Sequence, residues 1–363
     1  MKLAVFGLTM SSSWGNGHAT IWRGLCRGLA KRGHRVVFFE RDVPYYASHR
    51  DMLSPEGAEL VLYGSWEDIK RRAERELSGA DAAIVTSYCP DALEACSLVL
   101  SSKAGVKCFY DLDTPVTLKS VENGDAPSYV PPYGLGGFDL VLSYTGGRAL
   151  DGLRSFFGAK NVEALYGSVD LEAHGPVEAS DAYNADLSYL GTYAKDRQEA
   201  LESLFIKPSE IFPQKKFVIG GALYPDDFPW RENIYFLRHV PPPEHPSFYC
   251  SSSFTLNVTR GAMKEMGWCP SGRLFEAAAC GVPVISDWWE GLDEFFEPGS
   301  EIVIARDTDD VVDALGMDSS QRKKIGKLAR ERALGAHSSE ARAGELDFML
   351  ERASSRKGEP CGG

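Results

Sequence analysis

The sequence predicts an α/β protein built from two doubly wound parallel sheets, and three observations lead to that fold class. Short apolar runs rich in β-branched residues alternate with helical patterns along the chain. The alternation stops over about residues 167–184 and then begins again. The length of 363 residues suits two domains of ordinary size, each with its own core.

The first half of the chain has the elements of one such domain. Its strands are predicted at residues 3–7, 35–39, 58–62, 82–86, 106–110, 140–143 and 162–165. Helices are predicted between the strands, for example over 18–31, 66–77 and 90–101. We therefore expect a first domain over residues 1–170 and a linker over 171–185.

The second half repeats the pattern. Strands are predicted at 186–190, 216–219, 235–237, 254–256, 284–286 and 301–304, and helices at 195–205, 273–280, 308–315 and 319–334. These elements define a second domain over residues 186–335. A final amphipathic helix from about 339 to 352 and a tail from 358 make up residues 336–363.

Composition excludes several classes of protein. A hydrophobic fraction of 44% and a charged fraction of 25% are typical of a soluble globular protein. The net charge of −12 argues against a general nucleic-acid binder. No apolar run approaches a membrane span or a signal peptide. The eight cysteines contain no Cys-x-x-Cys pair, which favours reduced thiols and a cytoplasmic protein. The oligomeric state is not indicated.

The segment from residue 270 to 291 is the most informative part of the chain. Ser271 is placed to cap a helix that begins at Gly272 and Arg273 and ends before Gly281 and Pro283. Free backbone N–H groups, the helix dipole and an arginine at a helix start favour a bound anion. Glu276, one turn further on, suits the hydroxyl groups of a ribose whose phosphates rest on the helix start.

The motifs Arg273-Leu-Phe-Glu-Ala-Ala-Ala-Cys-Gly281 and Asp287-Trp-Trp-Glu-Gly-Leu292 resemble the CgeB-like (spore maturation protein) glycosyltransferases over about residues 189–315. The resemblance implies the GT-B fold: two Rossmann-like domains facing a cleft, with a C-terminal helix that crosses back to the first domain. The second domain also resembles the retaining family 4 glycosyltransferases, whose ribose-binding glutamate falls on Glu276. Another glutamate of that family falls on Trp268, so this half of its motif is absent.

The donor is expected on the second domain, at the ends of strands and the starts of helices. Gly191 permits a close backbone approach, Tyr193 lines the pocket, and Arg197 binds phosphate unless it forms a surface salt bridge with Asp196 or Glu199. The remaining donor contacts are predicted at His239, Asn257, Arg260, Ser271, Gly272, Arg273, Trp289, Glu290 and Gly291. One of the tryptophans at 288 and 289 is expected to lie in the core.

The acceptor is expected on the first domain. Its loop after the first strand contains Trp14, Gly15, Asn16 and Gly17 and leads to His18. His18 is a candidate general base, since the pKa of histidine lies near neutrality, and the alternative is a residue that only caps the helix. Asp113 is the second catalytic candidate, and the alternative for it is an Asx-turn or a cap. The loop lacks the third glycine of a dinucleotide fingerprint, and Glu40 makes only a weak ribose contact for NAD.

These residues predict a glycosyltransferase that moves a sugar, such as a hexose, from a nucleoside diphosphate sugar to a small-molecule or glycan acceptor. No His/Cys cluster has metal-ligand spacing, so we expect no metal and no cofactor beyond the donor. The resemblance implies retention of anomeric configuration, while His18 leaves inversion open. A nucleotide-sugar epimerase and a non-catalytic nucleotide-sugar-binding protein are the alternatives.

Overall fold

The computed structural model describes residues 1–15 and 17–358. Asn16 and the predicted tail from residue 359 lie outside the described residues. Within these ranges, none of the helices combines the length and apolar composition that a membrane crossing needs. The seven cysteines in the described part of the chain are free thiols.

Two parallel sheets organise the chain. The strands are β1 (Lys2–Gly7), β2 (Arg35–Arg41), β3 (Ala58–Tyr63), β4 (Ala82–Thr86), β5 (Val106–Asp111), β6 (Leu140–Ser143), β7 (Val162–Ala164), β8 (Ala185–Leu190), β9 (Phe217–Gly220), β10 (Ile234–Leu237), β11 (Ser252–Asn257), β12 (Val284–Ser286) and β13 (Val303–Ile304).

Helices connect the strands, as parallel pairing requires. They are α1 (His18–Lys31), α2 (Pro44–Ala47), α3 (Trp66–Ser78), α4 (Ala92–Ser101), α5 (Thr114–Glu122), α6 (Arg148–Phe157), α7 (Gln198–Leu201), α8 (Lys207–Ile211), α9 (His245–Cys250), α10 (Gly261–Met266), α11 (Gly272–Ala279), α12 (Leu292–Phe295), α13 (Thr308–Leu315), α14 (Ser319–Ala336) and α15 (Ser339–Gly358).

The first compact unit consists of residues 1–168 and the final helix α15. Its seven strands follow the order β3-β2-β1-β4-β5-β6-β7. Strand order reverses between β1 and β4, and ligands of such sheets bind outside the carboxyl ends of the strands at that point. Helix α15 packs closely on α1: a Cβ on Gly28 would stand 2.6 Å from the carbonyl oxygen of Ser339.

The second compact unit spans Val169–Ser338. Its six strands follow the order β10-β9-β8-β11-β12-β13, so that the reversal lies between β8 and β11. The carboxyl ends of these two strands are Leu190 and Asn257. The loops that follow them, together with the start of α11, therefore surround the predicted ligand position of this sheet.

One predicted helix differs clearly from the structure. The sequence predicts a single helix over 195–205, whereas the structure has a 3₁₀ turn at Lys195–Arg197, the short α7, a π turn at Glu202–Ile206 and α8. Pro208 supplies the reason. Its ring lacks an N–H and crowds the carbonyl four residues earlier, and the wider π turn at that point relieves the crowding.

Candidate functional site

Two guanidinium groups lie together at the carboxyl edge of the second sheet. Nη1 of Arg273 donates to the carbonyl oxygen of Leu190 over 2.7 Å, and its Nε donates to Oγ of Ser271 over 3.2 Å. The guanidinium carbon lies 5.5 Å from the ring centroid of Tyr189. Nη1 of Arg197 lies 3.4 Å from the hydroxyl of the same tyrosine. One buried tyrosine thus contacts both cations.

Arg197 is partly buried and lies close to another positive charge. Burial, and after it the charge of Arg273, lowers the pKa of Arg197. Its Nη1 donates to the carbonyl of Thr192 over 3.1 Å, while its buried Nε has no hydrogen-bond partner among the described residues. An arginine in this state is prepared to bind an anion, because an anion both offsets the desolvation and uses the free donor.

Glycines permit a close approach of two strand ends beside these arginines. Gly221 has a φ of +150°, and a Cβ there would lie 2.1 Å from the carbonyl oxygen of Gly191. A Cβ on Gly191 would in turn lie 2.8 Å from both Nη1 of Arg273 and the hydroxyl of Tyr189. Gly191 therefore has a packing role: its missing side chain leaves room for the arginine and the tyrosine.

The start of α11 carries a carboxylate one turn in. Ser271 occupies the N-cap position but forms no side-chain cap bond, since its hydroxyl accepts from Arg273. Oε2 of Glu276 accepts a hydrogen bond from the hydroxyl of Tyr249 over 3.1 Å. Oε1 lies 3.8 Å from the position of a Cβ on Gly272, so it reaches the first residue of the helix. The free N–H groups at the start of α11 and the carboxylate of Glu276 are thus separated by about one helical turn.

The alternative for Arg197, a surface salt bridge with Asp196 or Glu199, is not among the ion pairs of the described residues. Asp196 instead pairs with exposed Arg260, at 3.7 Å, and accepts from the backbone N–H of Gly261 over 3.0 Å. This pairing joins the turn after β8 to the start of α10. Arg260 therefore stands beside the arginine pair with a carboxylate partner of its own.

Two of the predicted donor contacts, Asn257 and Trp289, are buried in the structure. Asn257 is 1% exposed, and its Nδ2 donates to Oγ of Ser286 over 3.0 Å, which joins the ends of β11 and β12. Trp289 is 2% exposed and packs against Phe295, so it is the core tryptophan of the pair. Trp288 is 42% exposed and is the one that a ligand can reach.

Trp268, which stands where family 4 enzymes have a glutamate, is held by specific contacts. Its φ is +42°, its Nε1 donates to Glu294 over 2.8 Å, and its backbone N–H donates to the carbonyl of Glu290 over 2.7 Å. A Cβ on Gly291 would lie 2.5 Å from its indole ring. Gly291 therefore serves packing and a left-handed turn, and exposed Glu290 remains the predicted ligand contact here.

Aromatic rings border the second sheet beyond the arginines. Tyr193 lies 5.5 Å from Tyr224 between ring centroids, and the hydroxyl of Tyr224 donates to the carbonyl of Gly191 over 3.0 Å. His239 is exposed at the end of β10. Three tyrosines of this site carry no distinctive sequence signal, because a tyrosine in or near a strand is equally typical of a core residue. They are Tyr189, Tyr224 and Tyr249.

In the first unit, Glu40 anchors the loop that follows β1. This fully buried carboxylate accepts from the backbone N–H groups of Met10 and Ser11 over 2.6 and 2.9 Å, and from the Thr9 hydroxyl over 3.0 Å. Its oxygens are committed to the loop, which removes it as a ribose contact for NAD. Further along, exposed Trp14 stacks on His49 at 4.4 Å.

The loop leads to His18, the first of the two catalytic candidates. Gly15 has a φ of +67°, and Gly17 is the N-cap of α1. His18 packs edge-on against Tyr88 at 5.7 Å, and burial lowers the pKa of His18 to about 4. The Tyr88 hydroxyl donates to Oδ2 of Asp113 over 3.4 Å.

Tyr88 therefore lies between the two candidates. Burial, and next the charge of Asp113, raises the pKa of Tyr88 to about 12. Asp113 is the N-cap residue of α5 without a side-chain cap bond. Asp111, on the opposite face of the strand end, is fully buried, and that burial raises the pKa of its carboxyl group.

The structure also brings together three possible metal ligands that local spacing did not reveal. In the described part of the chain, His174, His245 and Glu276 each offer one ligand atom, and these atoms all lie within 4.8 Å of one another. The sequence predicted no metal because no His/Cys cluster has metal-ligand spacing along the chain. These residues come from three separate segments, and only the fold places them side by side.

Solved structures share this architecture over almost the whole chain. Sucrose-phosphate synthase from Thermosynechococcus elongatus has a TM-score of 0.69 at 14% identity, covering 98% of this chain and 99% of its own. Anabaena HepE in complex with UDP-glucose has a TM-score of 0.63 at 11% identity, covering 97% and 100%. An alpha-glucosyltransferase in complex with UDP and mismatched DNA has a TM-score of 0.69 at 12% identity, covering 97% and 99%.

The predicted GT-B fold, with its two Rossmann-like parallel-sheet domains, is thereby confirmed. Residues 197–347 match a family model described as glycosyl transferase-like. A comparison with curated proteins gave no match. The match of residues 197–347 agrees with the transferase that the sequence predicted.

Proposed function

We propose that the protein transfers a sugar from a nucleoside diphosphate sugar, bound by the second unit, to an acceptor. The observation that carries the proposal is the arginine pair at the start of α11. Arg197 and Arg273 both contact Tyr189. The carboxylate of Glu276 lies on α11, one turn beyond Arg273.

The arginines and the helix start suit a diphosphate. The bonds of Arg273 to Leu190 and Ser271 fix its plane and leave Nη2 as the donor not used in them. Arg197 adds its unpartnered Nε, and the first-turn N–H groups of α11 add the positive end of the helix dipole. In the reaction these groups stabilise the charge that develops on the leaving diphosphate.

Glu276 suits the ribose of the donor. A carboxylate accepts hydrogen bonds only, and ribose presents two adjacent hydroxyl donors. The bond from Tyr249 occupies one lone pair of Oε2, which leaves the other lone pairs of the carboxylate available to ribose hydroxyls. Glu290 and the exposed Trp288 are the proposed sugar contacts, since an apolar ring face and a carboxylate are complementary to a hexose.

We further propose that catalysis is retaining, independent of a metal, and CgeB-like in its donor site. The arginines and the helix dipole supply the positive charge that a metal would otherwise supply at the diphosphate. UDP-glucose is the first donor to test, because two of the structural neighbours are bound to UDP or UDP-glucose. The acceptor is proposed to bind the first unit, with His18 and Asp113 as the catalytic candidates. The anomeric configuration of the product tests retention, since direct activation of the acceptor by His18 as a general base would favour inversion.

Binding measurements on the full chain test the proposal. A thermal-shift and calorimetric screen of UDP-, GDP- and dTDP-sugars should give one nucleotide class that raises the melting temperature by mass action. Arg306→Met is the matched control, because its side chain is 80% exposed and forms only a weak pair with Asp310. This control should bind the donor as the wild type does.

Product analysis separates the remaining functions. Slow hydrolysis of the donor or transfer to a glycan supports a glycosyltransferase. Formation of an epimeric nucleotide sugar without acceptor supports an epimerase instead, and binding without turnover supports a non-catalytic protein. If no nucleotide sugar stabilises the chain, the proposed donor site is wrong.

A further inference from the structure

We propose that His174, His245 and Glu276 form a binding site for a divalent transition-metal ion of the zinc class. Their three ligand atoms lie within 4.8 Å of one another, and all three residues belong to the second unit. Zinc–nitrogen and zinc–oxygen bonds are about 2.0–2.2 Å long, which separates neighbouring ligand atoms by about 3–4 Å. Small rotamer adjustments therefore close the group around an ion.

His245 is oriented as a ligand through its other nitrogen. Nε2 lies 3.1 Å from the carbonyl oxygen of Val240. A carbonyl oxygen only accepts, so Nε2 carries the proton and the lone pair of the neutral ring is on Nδ1. Metal-bound imidazoles are typically fixed in this way, by an N–H bond to a backbone carbonyl or a carboxylate.

His174 provides the second, independent observation. Its side chain is 8% exposed, and neither ring nitrogen has a hydrogen-bond partner within the described ranges. A buried imidazole without partners costs free energy, because both of its polar atoms have lost water. A metal ion beside Glu276 and His245 lowers that cost, because it takes the lone pair of one of the two ring nitrogens.

The ligand types select the ion. Two neutral imidazoles and one carboxylate leave a dication with a net positive charge and an open position for water, as in zinc sites with three protein ligands. Mg²⁺ and Ca²⁺ prefer oxygen ligands, so they should bind this group poorly. Zn²⁺ is therefore the probe, and Mg²⁺ is the contrasting ion.

Glu276 belongs to two sites, and this gives the inference a consequence that rests on the proposed function. A carboxylate that coordinates an ion loses acceptor capacity for ribose hydroxyls. The ion and the nucleotide sugar should therefore compete. The metal site is then inhibitory for donor binding, and it has no part in the transfer step.

The test is calorimetric titration of the tag-free, chelator-treated full chain with ZnCl₂. We expect one saturable site per chain, with no comparable binding of MgCl₂. His174→Gln and Glu276→Gln should each weaken Zn²⁺ binding by more than the roughly 10- to 100-fold that loss of an outer-shell partner costs. Glu331→Gln is the control, because it neutralises a 60% exposed carboxylate of the same unit that forms a 3.8 Å ion pair with Lys327, and it should leave Zn²⁺ affinity unchanged.

Two ligand variants are used because one of them could fail to fold. The other would still show whether Zn²⁺ binding depends on a proposed ligand. Absence of a saturable site, or equal affinity in wild type and both ligand variants, would overturn the metal site. A second titration in saturating UDP-glucose tests competition. If Zn²⁺ binds as expected but the nucleotide binds without weakening it, the metal site stands and the ribose role of Glu276 fails.

Discussion

Arg197 and Arg273 contact the same tyrosine, yet their bonds predict different effects of removing them. Burial and the neighbouring guanidinium lower the pKa of Arg197. A cation whose pKa is lowered by folding is less stable in the folded chain than in the unfolded one. Arg197→Met therefore removes an unfavourable charge, and we expect a melting temperature equal to or above that of the wild type.

The same substitution should damage ligand binding. A charge-assisted hydrogen bond contributes about 1.5–3 kcal/mol, which corresponds to roughly 10- to 150-fold in affinity. Arg273→Met should weaken binding by a similar factor and also destabilise the chain. It leaves the carbonyl of Leu190 without its 2.7 Å donor, at about 1–3 kcal/mol, or roughly 2–12 °C for a domain of this size.

Calorimetric titration with UDP and pyrophosphate, paired with thermal unfolding of the free protein, separates the two effects. Arg306→Met again serves as the exposed control. The proposed role of Arg197 is contradicted if Arg197→Met binds both ligands as the wild type does. It is equally refuted if that variant loses as much stability as Arg273→Met, since Arg197 would then be a structural residue.

Three other expectations concern Glu276, His18 and metal dependence. Glu276→Gln should weaken nucleoside diphosphates more than pyrophosphate, because its partner is the ribose; equal losses in titrations of both would indicate a structural effect. His18→Gln should lower kcat by about 10²–10⁴-fold with unchanged nucleotide affinity. Because burial lowers the pKa of His18 to about 4, wild-type turnover should be lost as pH falls through about 4 and not through 6.5, which a pH–rate profile measures. Turnover should survive EDTA, and a loss that added metal restores would contradict metal-independent catalysis.

Local signals predicted the fold well because each strand and helix carries its own pattern. The start of α11 is the best example: the sequence predicts a helix over 273–280, and the structure has Gly272–Ala279. The signals that bound this helix are Ser271 at its N-cap and Gly281 and Pro283 after its end, and all of them lie next to it in the sequence. The π turn at Glu202–Ile206 was missed because it depends on the ring of Pro208 meeting one carbonyl, which the helical pattern over 195–205 does not report.

The candidate site was only partly predictable, since burial depends on packing that sequence neighbours do not report. Nothing local distinguishes Trp288 from Trp289, although one is exposed and the other is in the core. Asn257 was predicted to follow its strand and face the ligand, yet it is the last residue of β11 and its amide turns inward to Ser286. The metal ligands come from positions 174, 245 and 276, so only the tertiary structure brings them within 4.8 Å.

The return of α15 to the first unit has a consequence for synthesis on the ribosome. The apolar residues of α15 enter the same core as those of α1, and they are Ala343, Leu346, Leu350 and Ala353. The whole second unit, Val169–Ser338, is translated between these two helices. Domains fold as units during translation, so the second unit has its full sequence while α1 still lacks its partner. The domain that is made first is the one that is completed last.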